Sequence, residues 1–358
     1  MKIVQLTNSF SKGDSISNHA VAVMNVLKSL AYETMIYTEN KYLFGEIDYV
    51  KTFDPIPKLG NEDILIYHIS TGSMIKNKLR MLKCRKIAWY HNITPPEFYI
   101  DYNLHQFDEC FRGVQDVREL NDVFDYSWAD SEFNKNDLVK YGYKCNIDVL
   151  PILVPFDDYD KKPNEEVLSI YNDGTVNILF ISRLVPNKKF EDVIAAFSCY
   201  VKHYDPDASL LIVGSCEGME SYREQLDEFV DRLSLKNVVF TDKVPFDEIL
   251  AYYKVADVFL CMSEHEGFCV PLVEAMFFDV PIIAYASSAV PETLSGAGIL
   301  LHEKNPLITA GVINKLVTDS TLRDAVIEGQ RKRISDFSYE KTSDLFLKCL
   351  ESFIGERK

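Results

Sequence analysis

Short apolar runs alternate with segments of helical periodicity along most of this chain, an alternation that leaves few folds besides parallel sheets wound with crossover helices. One series of candidate strands covers 2–7, 34–38, 63–68, 86–90, 126–130 and 147–150, and a second covers 176–182, 208–214, 237–240, 257–261, 281–285 and 298–301. Apolar residues recur at the helical period over 17–30, 104–120, 131–141, 188–203, 218–233, 246–254, 270–277, 305–318, 320–334 and 339–353. Between the two series, residues 155–175 lose periodicity and gather charges, prolines and turn residues, which reads as a linker. The expectation is an α/β chain of two Rossmann-like doubly wound domains, residues 1–155 and 156–338, facing across a cleft. Open α/β sheets bind ligands outside the carboxyl ends of their strands, so the chemistry is expected there.

Composition narrows the function. The 358 residues carry 38 Lys and Arg against 54 Asp and Glu, a formal charge of −16 that repels phosphate backbones and disfavours nucleic acid as a partner. Residues 1–155 hold 17 of the basic and 20 of the acidic residues, so most of the excess acid lies in the second half. No run approaches the ~20 apolar residues of a membrane span, and the N-terminus lacks a signal-peptide core, which implies a cytoplasmic location. Eight cysteines lie far apart, none in a CxxC pair, and read as reduced, buried thiols. Asp158-Tyr159-Asp160 and Asp205-Pro206-Asp207 end no buried strand, so no metal site is expected.

Two loops at strand ends carry the candidate chemistry. After strand 176–182 comes Arg183-Leu184-Val185-Pro186-Asn187-Lys188, with Asn187 a plausible helix cap. A guanidinium and an ammonium there suit a diphosphate that gains charge as it leaves. After strand 257–261 comes Ser263-Glu264-His265-Glu266-Gly267-Phe268-Cys269-Val270-Pro271, leading into a helix that carries Glu274. Gly267 permits a tight turn, Pro271 suits the first helical turn, and the free amides there can bond sugar hydroxyls or phosphate. Glu274, on a mostly apolar helix, could chelate a ribose diol or be a solvated helix residue; Glu266 could be a ligand or a partner of the helix dipole.

Taken together, Arg183-x4-Lys188 and Glu266-x7-Glu274, with Val213-Gly214-Ser215 and Ala289-Val290-Pro291-Glu292-Thr293, resemble the retaining glycosyltransferases of family 4, which have the GT-B fold. The resemblance implies that Arg183 and Lys188 hold the diphosphate of a nucleotide sugar, with Glu274 on the ribose. Glu266 and the amides of Gly267, Phe268 and Cys269 would position the transferred sugar, with Gly214, Ser215, Lys243, Val244 and Val270 completing the donor site. His91, at the end of strand 86–90, would hydrogen-bond the sugar. His68 reads as structural. The loop Ser11-Lys12-Gly13-Asp14 would lie near donor phosphate and acceptor, with Asp14 either an acceptor partner or a helix cap. Its single glycine is not GxGxxG, which disfavours a nicotinamide dinucleotide. No cofactor is implied beyond the donor, UDP-sugar favoured over GDP-sugar, and the acceptor would be a glycan or a lipid-linked glycan. Front-face attack at the anomeric carbon is the implied route, and the helix near 339–358 would pack back on the first domain. Ser182, Lys189, Cys269 and Asp279 stand where the family often has glycine. Alternatives are a phosphorylase or sugar-phosphate synthase of the same fold, or a catalytically silent nucleotide-sugar-binding module. The basic segment 74–86, with Ile75, Leu79 and Leu82 on one helical face, could lie on an anionic membrane at the inner face or pack on its own sheet.

Overall fold

The computed structural model describes residues 1–11, 13–41 and 47–355. The chain divides into two compact bodies, one of Met1–Glu97, His105–Pro155 and Phe337–Lys358, the other of Phe98–Leu104 and Phe156–Asp336.

The first body is built on a seven-stranded sheet of β1 (Lys2–Phe10), β2 (Glu33–Lys41), β3 (Val50–Thr52), β4 (Ile64–Ile69), β5 (Arg85–Tyr90), β6 (Tyr126–Ala129) and β7 (Ile147–Val149). Its order is β3-β2-β1-β4-β5-β6-β7, with every pair parallel. The central strands read as continuous apolar runs because helices cover both faces, and β4 is buried throughout. The C-terminal helix Tyr339–Gly355 belongs to this body: Phe346, Leu350 and Phe353, at the spacing of one helical face, join Trp89 and Trp128 in its core. The Arg85 guanidinium lies 3.8 Å over the Phe353 ring.

The second body holds a six-stranded parallel sheet of β8 (Asn177–Ile181), β9 (Ser209–Val213), β10 (Val238–Phe240), β11 (Val258–Cys261), β12 (Ile282–Tyr285) and β13 (Ile299–Leu301), in the order β10-β9-β8-β11-β12-β13. The strand order reverses beside β8, which brings the loops after β8 and β11 next to each other.

One expectation needs correction. Residues 155–175 are not a bare linker: Phe156–Asp160 forms a 3-10 turn and Glu165–Tyr171 a helix, whose first amides donate to the Asn164 side chain at 3.0 and 3.1 Å. The segment folds because Tyr159 and Val167 are buried, each 7% exposed. The basic segment 74–86 forms the short helix Lys76–Met81 before β5 begins at Arg85, with Ile75 and Leu79 buried and Leu82 partly exposed. Lys76 pairs with Asp116 and Glu119 at 2.6 and 2.8 Å, Lys78 with Asp54 at 3.6 Å and Arg80 with Asp122 at 2.9 Å. Met74 and Met81, by contrast, stay exposed, at 76% and 77%. Among the described residues, no helix is long and apolar enough to cross a membrane.

Candidate active site

In the second body, the carboxyl ends of four strands are tied into one edge. After β8, the Leu184 amide donates to the Ser215 carbonyl at 2.8 Å, joining the Arg183 loop to the loop after β9. Gly214 forms an isolated bridge with Asp242, and the Lys243 amide donates to the Asp242 carboxylate at 2.9 Å, so the loop bearing Lys243 and Val244 belongs to the same edge. The close approach explains Gly214: φ is 145° and an added Cβ would fall 2.0 Å from the Ser182 carbonyl oxygen.

The loop after β11 docks on the loop after β8 through Asn187. Its side-chain amide donates to the His265 carbonyl at 3.0 Å, and its own carbonyl accepts from the Glu264 amide at 2.8 Å. Asn187 therefore does not cap the following helix, as the sequence suggested. The residue at that helix start is Lys189, left-handed with φ 55°, and Asn187 instead holds the two loops in register. The result is direct contact between the basic and acidic loops: Lys188 Nζ lies 2.7 Å from Glu266 Oε1, with side chains 18% and 8% exposed. Burial pulls the Lys188 pKa down, but the Glu266 carboxylate together with Cys269 and Cys261 outweighs it, and the ammonium is held above its ordinary value. Arg183 is exposed. Glu266 is further fixed by its amide, which donates to Ser288 Oγ at 2.7 Å.

The helix Val270–Phe277 begins at Cys269, left-handed with φ 73°, and has proline in its first turn. Phe268 and Cys269 are buried, while Gly267 and Val270 are partly exposed. Thr293 Oγ donates to the Phe268 carbonyl at 2.5 Å and so pins the turn. Lys189, Cys269 and Asp279, three of the four positions singled out as glycine-like, all have left-handed backbones.

Glu274 is not a solvated helix residue. Tyr159 and Tyr253 donate their hydroxyls to its two oxygens at 2.6 and 2.7 Å. Burial raises its pKa, opposed by those two hydrogen bonds. Each oxygen keeps a lone pair for a further donor, so a diol could still be bound beside the tyrosines. The part of Tyr159 was not legible, because it comes from the segment read as linker.

The first body holds the remaining candidates. Asp14 caps the helix Ser15–Ser29, accepting from the Ser17 amide and hydroxyl at 2.9 Å each, which is the capping alternative; Gly13 before it has φ 90° and is exposed. His91 departs from expectation. Its side chain is 1% exposed, its Nδ1 lies 2.8 Å from Asp130, and its Nε2 lies 2.8 Å from His68 Nδ1. The protons can be placed. Gln5 Nε2 donates to the Ala20 carbonyl, so Gln5 Oε1 faces His68 Nε2 at 2.9 Å and that nitrogen carries a hydrogen. Burial drives the His68 pKa well down, so the ring is neutral and its Nδ1 accepts from His91 Nε2. Both nitrogens of His91 are thus committed within the body, and neither is free to bond a sugar. His68, read as structural, is the partner that closes the chain.

His19, His68 and His91 bring ring nitrogens within 4.8 Å of one another, a spacing compatible with a metal. Protonation opposes it: His19 Nδ1 accepts from the Leu153 amide at 3.0 Å, so the neutral ring carries its hydrogen on Nε2, the nitrogen left to face a metal. A second group, Cys261, Glu266 and Cys269, has its donor atoms equally close.

Two parallel-sheet Rossmann-like domains of this kind define the GT-B class, and the chain superposes on 98% of its length with Anabaena HepE in complex with UDP-glucose, at TM-score 0.75 and 16% identity, covering all of that chain. Residues 162–333, within the body that carries Arg183, Lys188, Glu266 and Glu274, match the family model "Glycosyl transferases group 1". Among curated proteins, D-inositol 3-phosphate glycosyltransferase of Jonesia denitrificans is 24% identical over 211 residues, 57% of this chain and 49% of that protein. O-antigen chain mannosyltransferase B of Escherichia coli is 21% identical over 317 residues, 79% of this chain and 81% of that protein. The chain therefore spans about half the length of the first relative and most of the second.

Proposed function

We propose that this protein is a retaining glycosyltransferase of family 4 that moves a sugar from a nucleotide diphosphate to an acceptor hydroxyl without a metal. The observation that carries the reading is the buried Lys188–Glu266 pair at 2.7 Å, set at the strand ends beside the exposed Arg183. In the resting state Glu266 neutralises Lys188. A bound diphosphate gives the ammonium a second anion, and Arg183 can grip the same phosphates bidentately. As the glycosidic bond breaks, these cations stabilise the charge that develops on the leaving phosphate, which accepts the proton of the acceptor hydroxyl. Glu266 and the amides from Gly267 to Cys269 then orient the sugar, and Glu274, steadied by Tyr159 and Tyr253, holds the ribose.

The donor is UDP-sugar in preference to GDP-sugar, a choice favoured by the UDP-glucose complex of HepE. The likeness to the O-antigen mannosyltransferase supports a glycan or lipid-linked glycan as acceptor, in surface polysaccharide or glycolipid synthesis at the cytoplasmic side of a membrane. A thermal-shift screen of UDP- and GDP-sugars tests the donor: a bound nucleotide at ~100 Kd adds about 2.7 kcal/mol to the folded state. Arg183→Ala is expected to lower turnover by about 10²–10³-fold while leaving the melting temperature unchanged, because its side chain is exposed. Unchanged turnover would remove the phosphate role, and a product of inverted anomeric configuration by NMR would remove the retaining one.

A further inference from the structure

Cys261 ends β11 and is fully buried; Cys269 opens the helix Val270–Phe277 and is 7% exposed. Eight residues apart, they fit no cysteine motif, yet the turn between them folds back so that both sulfurs and the Glu266 carboxylate lie within 4.8 Å of one another. Cys261 Sγ donates to Ser263 Oγ at 3.4 Å, and the neighbouring sulfurs split the pair's titration, Cys261 held below the ordinary thiol value and Cys269 well above it. The Lys188 ammonium favours a thiolate at Cys269, while the Glu266 carboxylate opposes one at either sulfur. The same three groups would suit a thiophilic cation, but the Lys188 ammonium already occupies Glu266 and repels one.

We infer that Cys261 and Cys269 are a peroxide-sensitive pair that closes reversibly to a disulfide, and that closure disables the donor site. The thiolate attacks one oxygen of hydrogen peroxide, breaking the O–O bond to give a sulfenic acid and hydroxide. The second thiol then attacks the sulfenic sulfur, forming the S–S bond and releasing water. The two sulfurs lose two electrons in total, and the peroxide is reduced to two waters. The sulfurs must approach to ~2.05 Å, which draws Cys269 toward β11. Cys269 is the left-handed residue at the start of the helix and lies three residues beyond Glu266, so its movement displaces the amides and the carboxylate assigned to the sugar. The effect on binding rests on the function proposed above; formation of the bond does not.

The test treats the full chain with hydrogen peroxide, then with dithiothreitol, and reads two quantities. Intact mass and non-reducing digestion are expected to show a loss of about 2 Da and a linked peptide pair containing Cys261 and Cys269, both reversed by reductant. UDP affinity is expected to fall about tenfold or more on oxidation and to return on reduction, a shift of at least ~1.4 kcal/mol. Cys261→Ala, which alters no group assigned to the donor, is expected to keep UDP binding and lose its oxidation sensitivity. Sulfinic or sulfonic acid on Cys269 without a cross-link, a link to another cysteine, or equal sensitivity in Cys261→Ala would overturn the inference. A disulfide that leaves UDP binding unchanged would overturn the regulatory half. If the reduced protein binds no nucleotide, the proposed function fails while the cross-link result stands on its own.

Discussion

Lys188→Met isolates the central claim that two opposite charges share one buried place. Each ion was desolvated to form the pair, and at 2.7 Å with an effective dielectric near 20 their attraction is about 6 kcal/mol before that cost is subtracted. Removing one partner leaves the other charged and enclosed, which typically costs about 3–5 kcal/mol. Because Glu266 is only 8% exposed, little solvent screening reduces that figure. For a body of this size each kcal/mol shifts the melting temperature by about 2–4 °C, so Lys188→Met is expected to lower Tm by roughly 6–20 °C. Glu266→Gln is expected to do the same by stranding the ammonium. The double substitution Lys188→Met with Glu266→Gln removes both charges and is expected to recover to within about 1 kcal/mol of the wild type, while still failing to bind nucleotide. Urea unfolding of the four proteins closes the cycle. Single variants as stable as the wild type, or a double variant no better than the sum of the two losses, would refute a coupled buried pair.

Gly214→Ala is expected to destabilise by about 1–3 kcal/mol or more, since the new methyl meets the Ser182 carbonyl rather than a yielding side chain, and urea denaturation measures it. His19 and His68 predict an acid sensitivity. Burial lowers both pKa values well below 6.5, so the folded state stays neutral while the unfolded chain takes up protons. Their contribution to stability is complete above the unfolded value and is lost as pH falls below it. Each contributes a slope of about 1.4 kcal/mol per pH unit, and a Tm series from pH 7.5 to 5 that stayed flat would contradict the assignment.

The strands were legible because a parallel sheet covered on both faces leaves uninterrupted apolar runs, and the Arg183 and Glu266 loops were legible because each follows such a run directly. The left-handed backbones at Lys189, Cys269 and Asp279 could be anticipated where glycine was missing from the resembling pattern. What could not be read was convergence across distance. Tyr159 reaches Glu274 from 115 positions away, out of a stretch whose charges and prolines masked a packed turn. His19, His68 and His91 come from a helix and two strand ends, and only their shared burial shows that His91 is committed to Asp130 and His68. Cys261 and Cys269 meet because the loop doubles back, which spacing alone does not report. The apolar stripe on 74–86 was real, but sequence could not say that Ile75 and Leu79 would be buried.

The backbone passes between the two bodies four times, after Glu97, Leu104, Pro155 and Asp336. A gene divided at the obvious midpoint would therefore yield two damaged fragments. The N-terminal piece would lack the terminal helix that covers Trp89 and Trp128, baring aromatic surface to water. The C-terminal piece would lose Phe98–Leu104, which brings Tyr102 against Tyr222 and the Asn103 side chain to the Gly218 carbonyl. Isolating either half intact calls for grafting the borrowed segment back onto its body.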